Sequence, residues 1–516
     1  MRTLLAVLTL ALLTTCSINA QTKPMEIGNR RELFVEETLI DSMQGTELRL
    51  HKPKPQNVVI VHGEPWEGSG SGYHSVFQDG DLYRMYYKAW QLDVTQGKVN
   101  TGSHPLYCCY AESKDGIHWK KPNLGIHDFK GSKANNIAIT SGTLGNLKVD
   151  AGHPAVFKDE NPNAAADAKY KAIVRSSGKN GLLVFKSPDA IHWSPLSKEP
   201  ILSGVGAFDS QNLAFWDPNI KKYRAYWRIF TAGTTNEKNW KPAGYRAIRT
   251  AVSDDLIHWT DQFDVQYTDS PDEHLYVNQI KPYHRAPHIL IGFPERYIDR
   301  GWSKSMEQLP EYENRKMRSS ASQRYGTAIT EGLLMASRDG HTFKRWNEAF
   351  LPAGHGYPDN WKYGDNYIAW HVVETKSAIA GQPNELSLYA TEDYWTGKSS
   401  RLRRYTLRLD GFVSAHAGGK VGQLKTKPFI FDGSKLTINF KTSAAGGVRI
   451  ELQTEDGKTI PGYSLADCPV IFGDDINRVV EWKTGSNVST LSGKPIRMLI
   501  ELKEADLYSF RFCGKK

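Results

Sequence analysis

At 516 residues the chain is too long for one ordinary hydrophobic core, so two or more domains are expected. A formal charge of +9 suits an acidic partner such as an anionic polysaccharide, or serves solubility; with no nucleic-acid module and no basic–aromatic stripe, nucleic acid is set aside. Five cysteines with no CxxC and no His/Cys cluster point to no zinc site, and neither metal nor cofactor is expected.

Read from its start, the chain opens with Arg2, an apolar run Leu4–Leu13 broken only by Thr9, and a small or polar stretch to Ala20. That pattern is a secretory signal over residues 1–20, too short to span a bilayer. It implies export to the periplasm or the outside. Leu13–Cys16 resembles a lipoprotein box, so a surface anchor through Cys16 is the alternative, although Thr15 is a poor residue before a lipidated cysteine. No later stretch is long and apolar enough to form a transmembrane segment. Cys108 and Cys109 lie in a strand-like run and face opposite sides as buried small residues. Cys468 and Cys513 are left as the pair that a disulfide could join.

The most informative feature is a repeat. Ser113–Trp119 (SKDGIHW) recurs as Ser187–Trp193 (SPDAIHW) and Ser253–Trp259 (SDDLIHW), more weakly as Ser337–Phe343 (SRDGHTF), and in degenerate form at Thr391–Trp395 (TEDYW). Each copy follows a strand-like run, so the motif reads as a tight turn between the third and fourth strands of a repeating sheet. Its Ser, Asp and His resemble a hydrolytic triad only on paper, because a catalytic site needs one set and this set recurs. Ahead of each copy lies a hairpin: Tyr73–Phe77 with Leu82–Ala89, Pro154–Phe157 with Tyr170–Arg175, Leu213–Trp216 with Tyr223–Ile229, Leu275–Ile280 with Ile289–Phe293, and Trp361–Tyr363 with Tyr367–Val373. Two hairpins per repeat predict an all-β fold, a five-bladed β-propeller over residues 21–400. Helical periodicity is almost absent. After residue 400 the repeat stops, and short strands separated by Gly, Ser and Asp predict a β-sandwich over 401–516.

This organisation resembles the clan of glycoside hydrolase families 32 and 68 and the related family 43, and in detail a group of exported bacterial proteins labelled family 32- or 43-like. The resemblance is carried by the repeated turn, by Glu32–Ile40, Pro65–Glu67, Gly364–Tyr367 and Ala505–Phe510, and it spans nearly all of the chain after residue 20. It implies a sugar-directed site without transferring a nucleophile. The Trp-x-Asn-Asp-Pro-Asn, Arg-Asp-Pro and Glu-Cys motifs of family 32 enzymes are absent, and Trp216–Asn219 echoes the first only as hairpin-turn chemistry.

In such propellers the site is the central funnel, lined by the starts of the innermost strands. Glu67, Asp150, Asp209, Glu273 and Asp359 precede those strands, one per blade. Asp209 and Glu273 are the first choices for the two carboxyl groups that glycoside hydrolysis uses, followed by Asp150 and Glu67; Asp359 reads as a turn residue. Crowded in a funnel, such groups would raise one another's proton affinity. His74, His153 and His274 stand at the same edge. Arg175, Arg228 and Arg296 end or follow hairpin strands and suit an acidic or sulfated sugar, while Trp90 and Trp361 are stacking platforms. Each also has a structural reading as loop support, ion pair or core. The polar insertion Glu295–Arg324 reads as a binding loop that favours exo-cleavage. The expected function is therefore a glycoside hydrolase acting on plant or algal oligosaccharide or polysaccharide fragments. A non-catalytic carbohydrate-binding propeller and a structural or protein-binding propeller are the alternatives.

Overall fold

The computed structural model describes residues 23–514 apart from 237–238, 355–359 and 398. The expected signal, Cys16 and Asp359 lie outside the described residues. Five sheets, antiparallel but for a parallel pairing of Gln266–Tyr267 in the fourth, succeed one another around an axis. Blade 1 comprises Gly72–Asp79, Leu82–Ala89, Tyr107–Ser113 and Trp119–Lys120. Blade 2 is Leu147–Lys158, Tyr170–Ser176, Gly181–Ser187 and Ser194–Pro195. Blade 3 is Leu213–Asp217, Lys222–Asn236, Asn239–Ser253 and Thr260–Asp264. Blade 4 is Lys281–Tyr283, Ala286–Gly292, Met335–Ser337 and Thr342–Arg345.

Blade 5 departs from the expected strand list. Its first three strands are Val373–Thr375, Glu385–Glu392 and Arg401–Arg408, and its fourth is Lys54–Val61 from near the chain start. The degenerate motif Thr391–Trp395 therefore follows a second strand, not a third. Borrowing that strand covers the edge that blade 5 would otherwise leave open and closes the ring with backbone hydrogen bonds.

The repeated turn is a structural device. Asp115 Oδ1 accepts the backbone N–H groups of Ile117 and His118, both at 2.8 Å, while its Oδ2 meets His118 Nδ1 at 2.7 Å. Asp189 and Asp255 repeat these contacts. The residue after each aspartate takes a left-handed backbone, φ +72° at both Gly116 and Ala190 and +69° at Leu256. The carbonyls of Gly116, Ala190 and Gly340 accept tyrosine hydroxyls from the preceding blade: Tyr389, Tyr86 and Tyr226. The motif's aromatic packs on the same tyrosine, Trp193 against Tyr86 at 5.9 Å and Phe343 against Tyr226 at 6.2 Å. These three turns thus latch one blade to its neighbour.

The expected β-sandwich region hydrogen-bonds as one continuous ten-stranded sheet. Its longest strands, Lys435–Thr454 and Pro495–Cys513, lose register between Thr442 and Gly447. Leu436, Ile438 and Phe440 before that irregularity share a core with Val448, Ile450 and Leu452 after it, so the sheet closes on itself. Four early strands, Met25–Gly28, Arg31–Leu33, Ile40–Gln44 and Glu47–Leu50, also belong to this sheet. A division at residue 400 therefore cuts neither body cleanly. Asp410 joins the two: it accepts Tyr283 and Arg285 from blade 4 and Ser509 and Asn439 from the sheet, and pairs with Arg31. Cys108, Cys109, Cys468 and Cys513 are all free, so the last two form no disulfide.

Candidate functional site

Two glutamines close the propeller axis. Gln211 Nε2 donates to Pro154 O at 2.7 Å and to Tyr73 O at 3.1 Å, reaching blades 2 and 1. Gln279 Nε2 donates to Gln211 Oε1 at 2.7 Å and to Ile368 O at 2.8 Å, reaching blade 5. Above this plug, at the starts of the inner strands, five of the expected site residues meet.

Asp150 lies buried in the first strand of blade 2. Its Oδ2 faces His153 Nδ1 at 3.2 Å and Arg175 Nη1 at 3.3 Å, and its Oδ1 accepts Gly152 N–H at 2.8 Å. Asp209, before blade 3, bonds Arg228, whose guanidinium lies 4.8 Å over the Tyr276 ring. The two members of this pair differ in access: the Asp209 side chain is 39% exposed and the Arg228 side chain 3%. Burial pushes both carboxyl groups up, but the cations win. His153, the Gly152 N–H and Arg175 hold Asp150 well below the usual carboxylate range. Arg228, His153 and Arg175 hold Asp209 below it too. The expected mutual raising of proton affinity is overturned, because each carboxylate faces a guanidinium sooner than another carboxylate.

The remaining expected residues fall elsewhere. Glu67 is buried against Tyr87 Oη at 2.5 Å, Lys121 Nζ at 2.6 Å and the Glu64 N–H at 3.0 Å. His74 joins that buried network, its Nε2 3.1 Å from His62 Nε2. Burial, with His62 and Lys88 nearby, keeps His74 neutral, its proton affinity far below the ordinary histidine value. Glu273 binds Arg296 at 2.7 Å and approaches Arg345 at 3.7 Å; Arg296 also holds Glu331 at 3.0 Å. Glu273 lines a separate cavity of about 390 Å³ between blades 3 and 4, with Arg246, Tyr245, Tyr267 and Asp272. His274 Nδ1 accepts the Arg246 N–H at 3.1 Å on the border between that cavity and the funnel. Trp361 is 41% exposed, and its carbonyl accepts Arg315 of the insertion. Trp90 is half-buried beside Lys88.

Sequence reasoning missed an aromatic wall. Tyr73, Tyr276, Tyr297, Tyr363, Tyr367 and Trp395 form one buried cluster, with half-buried Trp90, Tyr325 and Tyr394 packed on it. It abuts the charged set through Tyr73, whose ring lies 5.6 Å from His153, and through Tyr276 under Arg228. Lys88 and Arg246 also belong to this wall. The insertion does not stay a loop: after the strand Glu295–Asp299 it forms helices Lys304–Glu307, Tyr312–Ala321 and Arg324–Thr327. Ser320 accepts the Gly97 N–H, Arg318 bonds Trp395 O and Tyr325 packs on Trp395 at 4.6 Å, so the helices cover the aromatic wall from blade 1 to blade 5. Glu295, at the base of the insertion, is buried with neither carboxyl oxygen hydrogen-bonded. Burial, then Glu331 and Asp365, push it far above the usual range, so it is protonated.

Among the described residues no group of three or more His, Cys, Asp or Glu side chains is arranged to hold a metal ion, and no helix is long and apolar enough to cross a membrane. No family model and no curated protein matches the chain. Solved structures similar to it include a glycoside hydrolase (10% identity, 69% of this chain and 92% of that one, TM-score 0.44). Another is the endo-arabinase of Bacteroides thetaiotaomicron (11%, 68% and 98%, TM-score 0.38). A third is a fructofuranosidase variant of Schwanniomyces occidentalis complexed with fructosylnystose (12%, 89% and 98%, TM-score 0.37). The five-bladed assignment itself rests on the strand pairing of this chain.

Proposed function

We propose that the protein is a glycoside hydrolase whose chemistry runs at Asp209. The observation that carries this reading is an ionised carboxylate open to solvent, held by a buried arginine, over an aromatic wall. Asp209 attacks the anomeric carbon or activates water. His153, its Nδ1 3.2 Å from Asp150 Oδ2, is the group placed to protonate the leaving oxygen. Arg175 and Arg228 keep both carboxylates ionised while the proton moves. Sugar rings stack at the half-buried rim of the wall, where Trp90 lies. The helical insertion covers that wall and limits how far a glycan can thread across the axis, which supports exo-cleavage of plant or algal oligosaccharide fragments.

The test is product release from a panel of neutral, uronic and sulfated oligosaccharides. Asp209→Asn abolishes release and Glu273→Gln preserves it; loss with Glu273→Gln alone would move the chemistry to the cavity between blades 3 and 4. A second reading, a non-catalytic carbohydrate-binding propeller, is favoured by one observation: both funnel carboxylates are held by arginines, a set that binds hydroxyl groups without giving up a proton. Binding without release from any member of the panel would select it.

A further inference from the structure

The funnel holds more positive charge than its own carboxylates neutralise. Arg175 is taken by Asp150 and Arg228 by Asp209. Among the described residues, the cations on the aromatic wall that lack a carboxylate in ion-pair contact include Lys88 and Arg246, besides Arg318 and Arg324 of the insertion. Lys88, near the end of blade 1's second strand, is 3% exposed. Its Nζ lies 4.6 Å from the Tyr73 ring centre and 5.1 Å from those of Trp90 and Tyr394, and it donates to Tyr394 Oη at 3.2 Å. Arg246 enters from blade 3. Its guanidinium lies 4.7 Å over Tyr297 and 5.2 Å over Tyr276, with Nη1 3.4 Å from His274 Nδ1. Among the described residues neither cation has a carboxylate in ion-pair contact, in a protein that pairs most of its other buried cations. The two sites are one surface, because Tyr73 stacks on Tyr367 at 6.0 Å and Tyr367 lies 5.7 Å from Tyr276.

Aromatic faces compensate a buried ammonium only in part, and a charge withdrawn from water without a counter-ion is costly. A neutral sugar would leave that cost standing. Resting on the reading of this funnel as a glycan site, we propose that it takes a sugar bearing an anionic substituent, a carboxylate or a sulfate ester, which Lys88 and Arg246 neutralise. The ionisation of Lys88 agrees with a missing counter-ion: burial pushes its ammonium down to about 7, with Asp150 pulling the other way. The groups facing it are Tyr73 and His74 on its neighbouring strand, Trp90 on its own, Tyr394 from blade 5 and Asp150 from blade 2. A bound anion restores the charge, so binding at pH 7.5 takes up a proton.

Calorimetric titration with matched pairs tests this: digalacturonate against its methyl diester, and galactose 6-sulfate against galactose. At least one charged member binds on the order of tenfold tighter than its neutral partner, a difference of about 1.4 kcal/mol. Lys88→Met brings the ratio to about one. Attraction by the overall charge of +9 would survive that single substitution, whereas a contact in the funnel does not. Arg246→Gln lowers the ratio in the same direction, and it carries the test should Lys88→Met fail to give a normal melting transition. Equal affinity within both pairs, or no binding of either charged member, overturns the proposal. Product release followed in the same samples reports on the hydrolase reading separately: tight charged binding without release sinks only the hydrolase, and release without charge preference sinks only the anion.

Discussion

The two ends of the propeller axis, divided by Gln211 and Gln279, are built from different materials. The lower end has a cavity of about 770 Å³, walled by Phe77, Tyr283 and Phe293 and rimmed by Lys281, His284 and Glu374. Its charges answer one another: Glu374 faces His284 at 3.5 Å and Arg285 at 3.9 Å, and Lys281 faces Glu160 at 3.9 Å. The upper end leaves a partly exposed, ionised carboxylate and cations without a carboxylate, Lys88 and Arg246 among them. Answered charge therefore marks one end and unspent charge the other. Chemistry on a glycosidic bond needs the second.

The sharpest way to break this contrast is Asp209→Asn. The carboxamide keeps the shape and a hydrogen-bond acceptor for Arg228 but cannot act as nucleophile or base. Turnover of a cleaved oligosaccharide falls by about 10²–10⁴-fold. A melting curve accompanies the assay, because Arg228 then lies buried without a counter-ion. Turnover within about threefold of the parent would place the chemistry elsewhere.

The division itself is tested next. Gln211→Leu leaves the carbonyls of Tyr73 and Pro154 without this donor, and the amide of Gln279 with Ile368 O as its remaining acceptor. Each orphaned buried group costs about 1–3 kcal/mol, so thermal unfolding shifts down by several degrees. A melting temperature within about 1 °C of the parent would mean that the axis is held by the strands alone.

Much of this contrast was legible in the sequence, and the parts that were not have physical reasons. The repeated turn announced itself because its Asp, its left-handed residue and its aromatic act within seven residues. Asp150, His153, Asp209 and the strand-ending Arg175 and Arg228 could be found because a propeller places strand starts together. Glu67 and His74 stand at the same kind of position but turn toward Tyr87 and His62, a choice made by packing partners that the local pattern does not display. The closing strand Lys54–Val61 pairs with residues more than three hundred positions away. The aromatic wall stayed hidden because tyrosines alternating along a strand look the same whether they fill a core or line a site. The helices of the insertion carry buried arginines rather than an apolar stripe, so no helical period betrayed them.

Glu295 sharpens the upper end further. Its carboxyl is protonated in the native protein and titrates near 4.3 in an unfolded chain. Between those two values the unfolded state loses its proton and the native state keeps it, so stability falls as pH rises, by about 1.4 kcal/mol per pH unit from this group. Below the unfolded value the group contributes no such penalty. Glu295→Gln removes the slope: relative to the parent, the variant gains stability as pH rises above about 4.3, up to the point where the native group itself loses its proton. Parallel melting-temperature profiles for the two proteins across that range would mean that Glu295 finds a counter-charge.

The smallest effect belongs to the lower end and completes the contrast. His284 stands at the rim of the large cavity, and its side chain is substantially solvent-exposed opposite Glu374. Removing it with His284→Ala enlarges the mouth of that cavity and cancels one weak, screened contact, which is worth little at a surface. If the upper end alone handles glycan, kcat and KM both stay within about twofold of the parent, because nothing at the lower rim reaches across Gln211 and Gln279. A change confined to KM would give that cavity a part in binding, and would turn two ends of different composition into two stations for one substrate.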